Sequence, residues 1–308
     1  MKMIDNILTV GTQVMILLVL IAIGYILGIK KVLNENAVRC MTNLVLYTVT
    51  PCVIIKSFMR EFDMAMLKNL IITFIAASVW FIVDIVLANL IIHDKDKKRE
   101  NVLRFGLIFS NCGYMSIPLQ QALLGDDGVF YGAVFIAVFN IIVWTYGVCL
   151  MEGSTKHISL KKIFINPGII GTTIGLILFL SSVQLPSVVT EPIGYLAAIN
   201  TPIPMIIIGY HLVGASFKIT GKNTWISIVF RLIVSPLIFL AGMYVCGIRG
   251  TVLITGVIAT SAPWAANTTM FAQKYDADVP LSAACVSVTT LLSILTMPII
   301  VGIAIMMK

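Results

Sequence analysis

FSNCGYMSIPLQQALLG, residues Phe109 to Gly125, sits inside a segment apolar enough to cross a bilayer, yet it carries an asparagine, two serines, a proline and two glutamines. A polar group left without a partner in hydrocarbon costs several kcal/mol. The stretch therefore lines something other than lipid, or it does not cross a membrane at all, and the rest of the chain decides which.

The 308 residues are 59% hydrophobic and 11% charged, with a mean hydropathy of +1.01, whereas a soluble domain is about one quarter charged. The chain reads as an all-α integral membrane protein. Its net charge of +7 does not point to nucleic acid, because the basic residues lie in short loops between apolar runs and act as topology signals. The six cysteines show no CxxC or metal-type spacing, so neither a disulfide framework nor a metal or other cofactor site is expected. The first apolar run, Leu8 to Ile29, is long enough to span, lacks a small-x-small cleavage site and is followed by Lys30 and Lys31. It is a retained helix.

With about 20 apolar residues needed per span, ten spans are expected, centred near Val19, Val49, Trp80, Cys112, Phe139, Ile174, Met205, Leu237, Pro263 and Leu292. Lysines and arginines crowd the loops opposite the termini: Lys30, Lys31 and Arg39, then Lys95 to Arg104, Lys156, Lys161 and Lys162, Lys218 and Lys222, and Lys274. The terminal side holds only Lys2, Lys56, Arg60, Lys68, Arg249 and Lys308. Both termini of this plasma (inner) membrane protein are thus expected outside the cytoplasm.

The chain also repeats itself. GLIFSNCGYMSIPLQQALLGDD (Gly106 to Asp127) and GVIATSAPWAANTTMFAQKYDAD (Gly256 to Asp278) each precede a long apolar helix at an offset near 149, and LYTVTPCVIIKSF with Pro51 resembles AINTPIPMIIIGYHL with Pro202 at 151. Residues 1–150 and 151–308 are therefore expected to be two five-helix repeats. Five spans is an odd number, so the second copy is inverted, and inverted repeats interrupted at corresponding places mark a transporter site at the midplane. Pro118 removes a backbone donor and Gly113 weakens the helix, so the fourth span should break near its middle, and the ninth near Pro263. Two facing half-helix N-termini would then offer free N–H groups to an anion. Asn111, Cys112, Gly113, Pro118 and Gln120 from one segment, and Pro263, Asn267 and Thr268 from the other, are the candidate binding residues. Pro51 and Pro202 either kink their helices or present backbone to the substrate.

At these residues the sequence resembles the auxin efflux carrier family, the bacterial relatives of the plant PIN carriers. The likeness rests on SNCGYMSIPLQQALLG and on APWAANTTMFAQKYDADVPLSAACV, and it extends over all ten spans. It implies a scaffold of helices 1, 2, 6 and 7, a transport unit of helices 3–5 and 8–10, an elevator-type movement, and helices 4 and 9 crossing at their prolines. It also implies a carboxylate held at the crossover, with the family's asparagine in helix 4 carried onto Asn111 and its helix 9 proline onto Pro263, and a homodimer formed through the scaffold. Only a short loop separates the fifth and sixth spans, so the long cytosolic loop of many plant members is missing.

Asp84 in the third span and Arg231 in the eighth are the clearest intramembrane charges. They can pair structurally, Asp84 can carry a coupling proton, or Arg231 can snorkel to the interface. No HExxH or GxSG-type arrangement is present, which argues against an enzyme. The leading function is an efflux-type secondary carrier for a small organic anion, coupled to a proton or sodium gradient; the alternative is a membrane-embedded sensor that binds its ligand without moving it.

Overall fold

The computed structural model of the chain describes residues 2–153, 164–214 and 219–307, with side chains described from residue 11 onward; Lys156, Lys161, Lys162, Lys218 and Lys308 lie outside the described residues. Among those described there is no strand, and thirteen helices follow one another: α1 Lys2–Ile29, α2 Glu35–Phe58, α3 Met64–Ile91, α4 Lys97–Ile108, α5 Ser116–Leu124, α6 Asp126–Glu152, α7 Pro167–Ser181, α8 Ser187–Ala198, α9 Pro202–His211, α10 Lys222–Val245, α11 Gly250–Ser261, α12 Asn267–Lys274 and α13 Val279–Met306. Seven continuous or nearly continuous helical stretches are long and apolar enough to cross a membrane, and α7 and α11 are shorter apolar helices. The spans expected at Cys112 and Pro263 are each divided, into α4 and α5 and into α11 and α12.

α3 shows why these are membrane helices. Leu70, Thr73, Ala77, Trp80, Phe81, Asp84 and Ala88 face inward, while Ile71, Ile75, Val79, Ile82, Val86 and Leu90 are exposed on the opposite side. A helix that is apolar on both faces has no water-facing side, so its outer surface belongs to lipid.

Prolines shape several of the others. A proline ring clashes with the carbonyl four residues back, and in α2 and α10 the chain relieves that clash by widening to a π turn, Val45–Val49 before Pro51 and Phe230–Val234 before Pro236. Pro118 acts at a helix start instead of within one. The fourth span breaks over residues 109–115, and Pro118 is the third residue of α5, where a first-turn N–H lacks a partner anyway. Its ring excludes a helical carbonyl at Tyr114, four residues back, so the break falls on its N-terminal side, as expected.

Close approach is set by glycine at two places. α1 packs on α9 so tightly that a Cβ on Gly24 would lie 2.1 Å from the Ile206 carbonyl oxygen, and one on Gly209 would lie 2.0 Å from that of Ile21. A Cβ on Gly106 of α4 would stand 2.1 Å from the ring of Trp264, which is fully buried. The first contact joins α1 and α9 backbone to backbone; the second lets the two broken segments cross.

Candidate functional site

The broken segments meet through a fragment of antiparallel pairing centred on Ser110 and Trp264. The Asn111 N–H donates to Pro263 O at 2.8 Å, and the Ala265 N–H donates to Phe109 O at 2.9 Å. Each break thus satisfies part of the other's backbone in a region without water.

Much of the polarity of the opening stretch goes to main-chain carbonyls of α11, and those of Ile258 and Ala259 lie in its last turn, where an ending helix leaves carbonyls unpaired. Ser110 Oγ donates to Ala259 O at 2.9 Å, Ser116 Oγ to Ile258 O at 3.3 Å, and Gln120 Nε2 to Thr255 O at 3.1 Å. Gln120 is held there by α6, where a Cβ on Gly132 would lie 2.0 Å from its Oε1. Thr268 is also turned inward, its hydroxyl bonded to Ala265 O at 2.7 Å, and Cys112 is buried.

Other polar atoms at the crossing find no partner among the described residues, Gln120 Oε1 and Trp264 Nε1 among them. Asn111 accepts the Tyr114 N–H on Oδ1 at 3.3 Å, while its Nδ2 has no hydrogen-bond partner among the described residues, although the side chain is only 6% exposed. Asn267 Oδ1 and Tyr114 OH are buried without a partner among the described residues. Neither α5 nor α12 has a side-chain cap at its N-terminus, so first-turn N–H groups are left for another acceptor. A Cβ on Gly113 would meet nothing within 4 Å; open space lies in front of the break. Tyr114 packs against both the main core and a small cluster of Val38, Val45 and Ile207, linking the break to α2 and α9. Pro51 sits against α7, 3.0 Å from where a Cβ on Gly171 would be, and Pro202 opens α9 after a turn at residues 199–201.

Asp84 and Arg231 form one buried unit directly behind the crossing. Arg231 is fully buried and does not reach an interface. Its Nη1 donates to Asp84 Oδ2 at 3.2 Å, to Leu107 O at 3.0 Å and to Ile108 O at 3.2 Å; its Nη2 donates to Ser235 Oγ at 3.1 Å and to Thr260 O. Ser235 Oγ lies 2.8 and 3.0 Å from the Asp84 oxygens and accepts Trp80 Nε1 at 2.9 Å. The guanidinium carbon stands 4.8 Å from the Trp80 ring centroid. One arginine therefore caps the C-terminal ends of both α4 and α11. Sequence reasoning singled out the two charges but missed Ser235, Trp80, Ser110 and Trp264. The repeat held a signal for the first of these, since Asp84 and Ser235 are 151 apart, the offset that relates Pro51 to Pro202.

The sequence profile of the membrane transport protein family, the auxin-efflux-carrier-like family suggested by the crossover motifs, matches residues 9–162 and again residues 154–301. The chain belongs to this family. It is 25% identical over 296 residues to an uncharacterized transporter of Methanocaldococcus jannaschii, covering 92% of this chain and 94% of that one. A second uncharacterized transporter, from Methanothermobacter thermautotrophicus, is 24% identical over 291 residues, covering 93% and 95%. The protein is a multi-pass membrane transporter by family, and these matches point to transport rather than catalysis.

Proposed function

We propose that the protein is a secondary carrier that moves a small organic anion, a carboxylate, across the cytoplasmic membrane by alternating access, with the anion bound at the crossing of the broken helices. The observation that carries this reading is the set of unsatisfied groups there: Asn111 Nδ2, Asn267, and the uncapped N-termini of α5 and α12. Buried polar groups are ordinarily paired, and two half-helix N-termini with neutral amides suit a negative ligand. Labelled-for-unlabelled counterflow in proteoliposomes, screened over mono- and dicarboxylates with and without proton and sodium gradients, tests it. Binding without exchange would favour a sensor, and no response to any carboxylate would remove the substrate class.

The inverted repeat belongs to the same proposal. Near a two-fold axis, counterpart residues touch one another. Ser110 bonds Ala259 at a separation of 149 and Ser235 bonds Asp84 at 151, close to the offsets relating the two halves. On this reading the ten spans divide into a scaffold (α1, α2, α7, α8 and α9) and a transport unit (α3 to α6 and α10 to α13), with both termini outside the cytoplasm.

Alternating access needs contacts that hold one face shut. On the terminal side, Arg60 beyond the end of α2 pairs with Asp127 at the start of α6, and its guanidinium lies 4.8 Å from the Phe130 ring centroid. Phe130 in turn sits 4.5 Å from Phe58 of α2 and 5.2 Å from Phe179 of α7, centroid to centroid. Two scaffold helices thus clasp one transport helix. A partly exposed ion pair is worth about 0–1 kcal/mol, and like charges repel by a similar amount. In a cysteine-free background, Gly113→Cys should therefore react a few-fold to about tenfold faster with an impermeant thiol reagent from the terminal side when Arg60→Glu is added. The exchange Arg60→Asp, Asp127→Arg should restore the slow rate. Equal rates in all three would show that this pair does not hold the face shut.

A further inference from the structure

We propose that Arg231 is a resident cation, and that the oxygen cage around it takes a free monovalent cation once the arginine is removed. The argument starts from what the guanidinium touches. Its ligands are the carboxylate of Asp84, the hydroxyl of Ser235 and the main-chain carbonyls of Leu107, Ile108 and Thr260. All are hard oxygen donors of the kind that bind alkali and alkaline-earth ions. They converge from four helices, α3, α4, α10 and α11, and both Asp84 and Arg231 are shielded from solvent, with 1% and 0% of their surface exposed.

Charge balance favours a cation. Two helix C-termini contribute about half a negative charge each, and Asp84 adds a full one, so the cage is strongly negative before the arginine is counted. A neutral side chain would leave the carboxylate and the converging carbonyl dipoles uncompensated in the core. Discontinuous helices elsewhere bring carbonyl ends together around a bound sodium ion. Here the chain supplies the positive charge from α10, at the π turn Phe230–Val234, where the widened backbone carries the long side chain into the crossing. The consequence is a division of labour: Arg231 neutralises the negative helix ends and leaves the positive ends, at α5 and α12, free. Arg231 is in this sense a positioning residue that fixes the crossing, and the inference holds whatever ligand the crossing binds.

The test needs no substrate. Purified wild type, Arg231→Ala, Arg231→Gln and Arg231→Lys are melted in choline chloride, sodium chloride, potassium chloride or dilute guanidinium chloride at matched ionic strength. Wild type and Arg231→Lys, which keep a built-in charge, should melt at the same temperature in choline, sodium and potassium. Arg231→Ala and Arg231→Gln should melt lower in choline and recover several degrees in sodium, potassium or dilute guanidinium. Adding Asp84→Asn to Arg231→Ala should abolish that recovery. If the two neutral variants fold only when a small cation is present, the proposal stands. Failure to fold in every salt, a melting temperature indifferent to the cation, or an equal cation response in wild type would overturn it, since a purely structural arginine predicts loss of stability without rescue.

Discussion

Asp84→Asn should lower the stability of the folded protein by about 3–5 kcal/mol, the usual cost of stripping one partner from a buried ion pair. The substitution keeps the volume and removes only the charge, so the loss is electrostatic. Arg231 stays behind with no exposure, still bonded to the carbonyls of Leu107, Ile108 and Thr260 but without its counter-ion. Ser235 loses the carboxylate that takes its hydroxyl proton. Joint replacement, Asp84→Leu with Arg231→Met, should recover part of the loss, because a buried pair exchanged for apolar groups of similar volume is often neutral. Recovery stays incomplete, since three carbonyls then lack a donor. Thermal melts and the monodisperse fraction in detergent measure both variants. If Asp84→Asn melts like wild type yet flattens the pH dependence of flux, Asp84 is a proton carrier and its link to Arg231 is incidental.

How much of this was legible beforehand depends on the kind of interaction. Hydropathy located the membrane segments because each span must be apolar regardless of its neighbours; the expected centre at Trp80 falls within the continuous helix Met64–Ile91 and that at Leu292 within Val279–Met306. The polar stretch at Phe109–Gly125 announced an interruption for the same reason. Composition did not show how the polarity would be divided. Asn111 and Gln120 look alike in a sequence, but the Gln120 amide N–H donates to the Thr255 carbonyl while Asn111 Nδ2 meets no acceptor among the described residues, and that difference is made by a helix some 140 positions away. Pro118 looked like the cause of the break. Its place as the third residue of α5 puts the break on its N-terminal side, where its ring excludes a helical carbonyl. Arg231 gave the least away: nine residues after Lys222 it could have reached an interface, and only the folded contacts place it among carbonyls.

The same division predicts the binding chemistry. Asn111 offers a donor that no group among the described residues takes, and Asn267 lies at the first position of α12 with its Oδ1 equally unpaired among them. A carboxylate can accept from Asn111 Nδ2, from the amide of Asn267 turned about its last torsion, and from N–H groups at the starts of α5 and α12. The matching primary amide would place its own NH2 donors against those donors and should bind poorly. Removing one hydrogen bond to a charged ligand costs about 1.5–3 kcal/mol, so Asn111→Ala should weaken carboxylate binding by roughly ten- to a hundredfold. Asn267→Ala should have a comparable effect. Asn111→Ala gives up only the long bond from the Tyr114 N–H, and the main-chain pairing through Pro263 O and Phe109 O survives both changes; melting temperatures should fall little. Gln120→Ala should do the reverse, since it removes the side-chain bond that ties α5 to α11 and empties the space packed against Gly132: stability falls, while the affinity of the remaining folded protein is kept. Calorimetry on purified protein, comparing an acid with its amide across the three variants, separates the roles. Equal affinity for acid and amide, or full affinity in the Asn111→Ala, Asn267→Ala double variant, would move the anion site away from the crossing and leave these two asparagines without a role in binding.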